Sequence, residues 1–504
     1  MSAHLAPIYT VEQIRAIEAA ANNADPDIRL MERAGAAAAK VAASMQGDRG
    51  KNVLILVGPG NNGGDALEVA VHLKRGFFNV HVVLVDDAAK LPIDAANALA
   101  KWRAIGGELL AEIPARKAWH LVVDGLFGIG LTRPIASRHA ELIATANALG
   151  APVLALDIPS GINGDTGAVH GTAIRATRTL TFIAQKPGLL TLDGPDHAGV
   201  VECDPLGLDV ETLLPAQGHI VNQAILEDCP GPRRRNFHKG DAGSVAIIGG
   251  APGMMGAALL AGRAALKCGA GKVFLALLAD PPLAVDTQHP EIMIRRAEQL
   301  IASGKFDALV AGPGMGADAL AQRVLAQVLR ADVPIVLDAD ALNLVSTYST
   351  LANTLVTRTA PTLVTPHPAE AARMLECTVA EVQKDRIATA RLLARRFKVH
   401  ALLKGNGSVL AAPDGHWWIV QAGNPGMATG GMGDVLSGVI GALLGQGLAA
   451  GSALQLGVYV HAAAGDRCVE EGIGPIGLTA SEVIDRVRVL INSEPPRHQD
   501  AKGR

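Results

Sequence analysis

The chain has 504 residues, and at roughly 150 residues per domain that length calls for two or three domains rather than one core. It is 49% hydrophobic, 18% charged and 3% aromatic, with 56 glycines, which excludes intrinsic disorder, collagen and coiled coil. Lys and Arg number 45 against 48 Asp and Glu, a formal net charge of −3, so no global field recruits nucleic acid or an anionic membrane.

The opening residues, MSAHLAPIYT, carry neither a basic region nor an apolar run, so no signal peptide is expected. Cys203, Cys229, Cys268, Cys377 and Cys468 are far apart and form no CxxC, which reads as reduced thiols in a cytoplasmic protein. Short apolar runs then alternate with helix-period segments, the pattern of parallel strands joined by helices. In the first half, strands are predicted at Val53–Val57, Val80–Val85, Leu121–Val123, Val153–Leu156 and Leu180–Ile183, with helices at Ala66–Arg75 and Ala95–Ala104. Glu227–Asn236, EDCPGPRRRN, interrupts the periodicity with turn formers and charge, and Arg233–Arg235 reads as a solvated linker face. Domains are therefore expected at 1–225 and 236–495, with a linker at 226–235 and a polar tail at 496–504. The second strand series is predicted at Ser244–Ile248, Val273–Leu278, Ala308–Val310, Ile335–Leu337, Leu363–Thr365 and Ala401–Leu403. Ser408–Ala411 and Trp417–Val420 flank Pro413-Asp414-Gly415 as a hairpin. The apolar stretch Val435–Ala464 contains Gln446, Gln455 and His461 and reads as two buried helices, not a membrane span.

Chemistry-bearing residues gather after the strands, where open α/β sheets bind ligands. Gly58–Asp65 follows one strand and opens a helix, so its backbone N–H groups and the helix dipole favour an anion. Asp124 and Asp157 each end a strand before another glycine-rich loop. Asn62, Asp124 and Ser160 are hard oxygen donors suited to a monovalent or divalent cation. Lys186 faces either a phosphate or solvent. In the second half, Gly423–Asp434 precedes the helix expected at Val435–Leu444 and aims backbone N–H groups at one spot, a geometry for phosphoryl transfer. Asp434, read as the last loop residue, would accept a hydroxyl proton or merely cap the helix. Gly312–Gly316, Asp338, Asp340, His367 and the Lys404–Ser408 turn add to the same edge.

LMERAG (30–35), GNNGGD, VDGLFGIG and DIPSGINGDTG, in that order, resemble the NAD(P)HX epimerase domain of the YjeF N-terminal type, over about residues 8–215. The resemblance implies a hydrated dinucleotide on Asn61, Asn62, Gly63, Gly64 and Asp65, on the loop of Gly128, Ile129, Gly130, Leu131, Thr132, Arg133 and Pro134, and on Asp157 as acid/base. It also implies K⁺ on Asn62, Asp124 and Ser160. Ala66 stands where that family usually has a third glycine, and its methyl is expected to narrow the pocket mildly.

HKGDAGSVAIIGG, AGPGMG, LDADALN, TPHPAE, LLKGNGS and GMATGGMGDVLSG resemble the NAD(P)HX dehydratase of the YjeF C-terminal type, over about residues 236–490. This implies the hydrated dinucleotide near Ala257 (or its neighbour Ala258), Gly316, His367 and Asp434. The adenine nucleotide would lie on Lys404, Gly405, Asn406, Gly407, Ser408 and Gly433, with Ser408 in place of the commoner Thr. The expected fold is α/β in two domains, an N-terminal Rossmann-like three-layer sandwich and a C-terminal ribokinase-like domain. The expected function is epimerisation of R and S C6-hydrated NADH or NADPH and dehydration of the S form, with ADP as co-substrate, Mg²⁺ and Asp434 as base. A homo-oligomer, a tetramer by the same resemblance, is expected. The rivals are a kinase of a vitamin alcohol and, for the first half, a nucleotide-sensing or protein-binding module.

Overall fold

Strand–helix alternation builds two parallel sheets, one in each of two units. The computed structural model describes residues 5–47, 50–115, 117–280 and 283–493, so the N-terminal tetrapeptide and the predicted polar tail lie outside the described residues. Pro7–Gly218 forms one unit, and the second begins at His219.

The first sheet runs in the order Leu109–Leu110, Asn79–Leu84, Asn52–Val57, Leu121–Gly125, Val153–Leu156, Arg178–Phe182, Val200–Asp204, all neighbours parallel. Alternate residues of its strands feed opposite faces. Val53, Ile55 and Val57 join the core under helices Val11–Ala24, Leu30–Gln46, Asn61–Arg75 and Ile93–Ala104. Leu54 and Leu56 join the core under helix Ser137–Ala148. Three layers result. Chain order reverses between Asn52–Val57 and Leu121–Gly125, so the loops leaving those two strands diverge and open a crevice at their carboxyl ends.

In the second unit the sheet carries Trp417–Val420, Val409–Ala411, His400–Leu403, Thr362–Val364, Ile335–Leu337, Ala308–Ala311, Ser244–Gly249, Lys272–Leu277 and Met293–Arg295 in that order. The run from His400–Leu403 to Met293–Arg295 is parallel. The expected hairpin adds the two antiparallel strands, turning at Gly415 with φ +98°. Helix Met432–Gly445 packs on helix Met255–Lys267 so closely that a Cβ on Gly438 would lie 2.1 Å from the Ala261 carbonyl oxygen. The apolar stretch does form two buried helices, Met432–Gly445 and Ala450–Glu470, and no helix among the described residues is long and apolar enough to cross a membrane.

Several expectations shift. The first unit ends at Gly218, not near 225, because Val221, Ile225 and Leu226 bury against Trp418 and Val420 in the second core. Arg233 is more than a solvated face: it donates to the Gly269 carbonyl at 2.6 Å beyond the end of helix Met255–Lys267 and stacks over Phe237. Strands Leu109–Leu110, Val200–Asp204 and Met293–Arg295 are short edge strands with little buried apolar character, which left no alternation to read.

Gly35 tests which local effect wins. Ala in a helix interior is favoured over Gly by about 1 kcal/mol, yet a Cβ on Gly35 would sit 2.2 Å from Glu68 Cβ on the neighbouring helix. Overpacking should dominate, so Gly35→Ala is expected to lose about 1–3 kcal/mol net, measured by urea unfolding of the full chain.

Candidate functional site

Glycines set the geometry of the first crevice. A Cβ on Gly58 would lie 1.6 Å from the Leu126 carbonyl oxygen, and one on Gly63 would lie 2.1 Å from the Gly58 carbonyl oxygen. The two loops can therefore touch only without side chains. The helix starts at Asn61, not at Ala66, because Gly60 accepts from the amides of Gly63 and Gly64. Asn61–Asp65 are thus its first turns rather than a free loop, and no side chain caps them. A cavity of about 990 Å³ opens there, lined by Asn61, Asn62, Asp65, the Gly128–Arg133 loop, Asp157 and Lys186. Ala66 is fully buried, outside that lining, with its Cβ facing Gly125 of the strand beneath. Its methyl packs on the sheet, so the expected narrowing of the pocket does not arise.

Asp157 sits at φ +64°, a strained value for a non-glycine residue, just past the end of strand Val153–Leu156. Its Oδ1 accepts from the Lys186 ammonium, from the Phe182 amide at 3.2 Å and from the Thr181 hydroxyl at 3.3 Å. Lys186 is fully buried and also donates to Thr181 Oγ1 at 2.8 Å and to the Phe182 carbonyl at 2.7 Å. It is therefore not a solvated surface lysine: three protein oxygens hold it at the cavity wall. Burial, then Asp157 and Glu18, push the Asp65 carboxyl well above its ordinary range. Glu18, from helix Val11–Ala24, is raised by burial and then by Asp157.

Asp124 is wholly buried and accepts from Ser160 Oγ at 2.6 Å, Ser160 N at 2.8 Å and Leu126 N at 3.2 Å. Burial still raises it to about 6 against those bonds. Both side-chain amide atoms of Asn62 are buried and find no hydrogen-bond partner among the described residues, and a buried polar group left unpaired costs about 1–3 kcal/mol. A carboxamide oxygen, a carboxylate and a hydroxyl make a hard donor set, and the orphaned Asn62 oxygen fits a cation of the K⁺ type.

In the second unit the switch loops follow Ser244–Gly249 and Ala308–Ala311. A Cβ on Gly249 would lie 2.0 Å from the Pro313 carbonyl oxygen, so the two loops are interlocked. Gly314 leans on Ala257, which is half-buried, whereas Ala258 is turned into the core, so Ala257 is the one beside the loop. Gly316 N donates to Asp340 Oδ2 at 2.8 Å. Ala339, at φ +47°, twists the backbone between Asp338 and Asp340. Lys404 Nζ then bonds Asp338 Oδ1 at 2.8 Å, with Glu370 Oε2 at 3.9 Å, and Ser437 Oγ donates to Asp338 Oδ2 at 2.6 Å. Burial favours the neutral amine, but Asp338 and Glu370 outweigh it and hold Lys404 above its ordinary range.

Asp434 is the third residue of helix Met432–Gly445, whose N-cap is Gly431 at φ +90° with no capping side chain. It is therefore neither a loop residue nor the N-cap, and the first-turn amides stay open to an anion. Burial first, then Asp338 and Asp340, push its carboxyl to about 7 against Lys404. A Cβ on Gly433 would meet Lys404 Nζ at 3.3 Å, which places Gly433 beside the lysine. His367 caps helix Pro368–Leu375 by accepting from the Ala369 and Glu370 amides at Nδ1, and burial then Lys404 hold it below its ordinary range. Its Nε2 lies 3.3 Å from Glu370 Oε1, so the same carboxylate that closes the capping box also faces the other ring nitrogen.

Glu18 and Arg386 escaped sequence reasoning, and the roles of Lys186 and Glu370 were not readable from it. Glu18 lies on a helix without a motif. Lys186 and Glu370 were visible, but their partners are distant in sequence. Arg386, nearly fully buried, bonds the carbonyls of Leu403, Lys404 and Gly407 and so shapes the Lys404–Ser408 turn. The Ser408 hydroxyl is turned back onto the Gly405 carbonyl at 3.0 Å.

A family model described as YjeF-related protein N-terminus matches residues 27–188, and one described as NAD(P)H-hydrate dehydratase matches residues 245–487. The chain is 40% identical to the bifunctional NAD(P)H-hydrate repair enzyme of Escherichia coli (strain K12) over 472 residues, covering 92% of this chain and 90% of that relative. It is 38% identical to the enzyme of the same description from Coxiella burnetii over 500 residues, covering 96% and 99%. A crystal structure of the ADP/ATP-dependent NAD(P)H-hydrate dehydratase from Bacillus subtilis, co-crystallised with ATP and Mg²⁺, is 30% identical, covers 54% of this chain and 96% of its own, and has a TM-score of 0.47.

Replacing Lys186 with Met removes the ammonium that Asp157 bonds and that offsets the charge of Asp65 and Glu18. We expect a loss of about 3–5 kcal/mol in urea unfolding at pH 8. The deficit should shrink as pH falls toward 5, because protonating those carboxylates removes the repulsion.

Proposed function

The chain belongs to the family of bifunctional NAD(P)H-hydrate repair enzymes, and we propose that its two units divide that work between two carboxylate-centred sites. The first unit interconverts the R and S forms of C6-hydrated NADH or NADPH. The second dehydrates the S form with consumption of ADP. The observation that carries the reading is Asp434: a carboxyl near neutrality at the open N-terminus of a buried helix, beside a lysine held charged.

In the second site Asp434 takes the proton of the C6 hydroxyl, and that oxygen attacks the terminal phosphorus of ADP, releasing AMP. The first-turn amides of Met432–Asp434 and Lys404 face the charge that develops on the transferring phosphoryl group. Phosphate then leaves C6 as the C5 proton is lost, which restores the dihydropyridine. Among the described residues no three His, Cys, Asp or Glu side chains converge to hold a metal ion. That fits Mg²⁺ carried largely on nucleotide phosphates, where it would offset their charge. Ala257, Gly316 and His367 line the dinucleotide side, and Lys404–Ser408 with Gly433 the nucleotide side.

In the first site Asn61–Asp65 and Gly128–Pro134 bind the dinucleotide, and Asp157 serves as an acid/base. Asn62, Asp124 and Ser160 would hold K⁺, which would supply a fixed positive charge near the substrate. A tetrameric assembly and a cytoplasmic setting belong to the same proposal, and sedimentation of the purified chain measures the first.

The test is a coupled assay on mixed C6-hydrated NADH epimers, following the return of reduced-nicotinamide absorbance with ADP, with ATP and with neither. Asp434→Asn should lose about 10²–10⁴-fold of nucleotide-dependent recovery while leaving epimer exchange intact, and Asp157→Asn should do the reverse. A lasting phosphate ester with a vitamin alcohol would favour the kinase alternative.

Dehydratase kcat/KM should rise with pH through about 7 as Asp434 becomes a base. The same shift has a stability consequence. The folded carboxyl holds its proton more tightly than the unfolded one, so stability falls as pH climbs from about 4 to about 7. Asp434→Asn removes that cost and should melt a few degrees higher at pH 8.

Asn62→Ala should abolish the rise in melting temperature that K⁺ gives the wild-type chain and spare the dehydratase.

A further inference from the structure

Inverting C6 requires an acid for the departing hydroxyl and a base for the water that replaces it. Asp157 takes three donors at its Oδ1, from Lys186, Phe182 and Thr181, and a single carboxyl cannot serve as acid and base in the same passage. A second group must therefore come from elsewhere. Helix Val11–Ala24, which lies ahead of the matched residues 27–188, lines the same cavity with Ile14, Arg15, Glu18 and Asn22. Its position is fixed. Thr10 and Gln13 form a capping box, Val11 N donates to Asp165 Oδ1 at 2.7 Å, and Ile14 and Ile17 are buried in the core.

From these contacts we infer that Glu18 is a catalytic residue of the epimerase site, the proton-transfer partner of Asp157; this deepens the epimerase reading and rests on it. Glu18 is half-buried and makes no hydrogen bond or ion pair among the described residues, so its carboxyl is free to turn to a ligand. Burial and the nearby Asp157 charge favour its protonated form, the form an acid needs. It gives that proton to the C6 oxygen as the C6–O bond breaks. Water leaves, and the N1 lone pair forms an N1=C6 iminium. Water then adds to the other face of C6 and its proton passes to Asp157. The proton count balances, and the enzyme is left in the state that runs the opposite epimer back. Neither oxidant nor reductant is needed.

Glu18→Gln preserves size and helix propensity but cannot donate an acidic proton. The expected result is at least a ~100-fold fall in R/S exchange by the full-length chain. Dehydration of the S form with ADP and the K⁺-induced rise in melting temperature should both stay at wild-type values. Glu18→Asp should recover part of the exchange. Wild-type exchange with an equally active Glu18→Gln overturns the role of Glu18 alone. No exchange by the wild-type chain above the spontaneous rate sinks the epimerase reading and this inference with it.

Discussion

A lysine set among carboxylates at the carboxyl end of a parallel sheet, fully buried in the first unit and half-buried in the second, is the interaction on which each site depends. Carboxylates gathered in a dry crevice repel one another and resist ionisation. Lys186 relieves that repulsion at Asp157, and Lys404 does so at Asp338 and Glu370. Asp338 and Glu370 hold Lys404 charged against its burial, and Lys186 sits among three protein oxygens that include the Asp157 carboxylate. Such pairs add little net stability against an apolar alternative, yet breaking one is costly. They define where charge resides, and that is what proton and phosphoryl transfer need.

Around those lysines the fold supplies two further devices. The first is the reversal of strand order, between Asn52–Val57 and Leu121–Gly125 in one unit and between Ser244–Gly249 and Ala308–Ala311 in the other. The second is a helix start left without a capping side chain, at Gly60 and at Gly431. With glycine as the N-cap such a start gives up only a few tenths of a kcal/mol of helix stability, and it leaves the first-turn amides open. Strain collects there as well, at Asp157 and Ala339, both at positive φ in loops that close the sites.

The motifs made much of this legible. Gly58–Asp65, Asp124, Asp157 and Gly423–Asp434 could be placed at the sheet edges because the residue types are themselves unusual: glycines where loops must touch, acids at strand ends. Periodicity located the central strands, since a strand buried on both faces is a continuous apolar run. It failed for Val200–Asp204 and Met293–Arg295, whose edge positions demand no such run. It also misplaced the starts of helices Asn61–Arg75 and Met432–Gly445, because a glycine-rich first turn looks like loop until its amides are seen to be helical.

By itself the sequence determined the fold class, the family and the position of the glycine- and acid-rich loops after the strands, because those rest on local residue patterns. Only tertiary structure decided which charges meet. Lys186 became a buried partner of Asp157 rather than a surface cation, Ala66 turned its methyl to Gly125 rather than to the cavity, and Glu18 entered the site from a helix with no motif. Those outcomes depend on contacts between segments far apart in the chain. No local pattern encodes the distance between two side chains that only packing brings together.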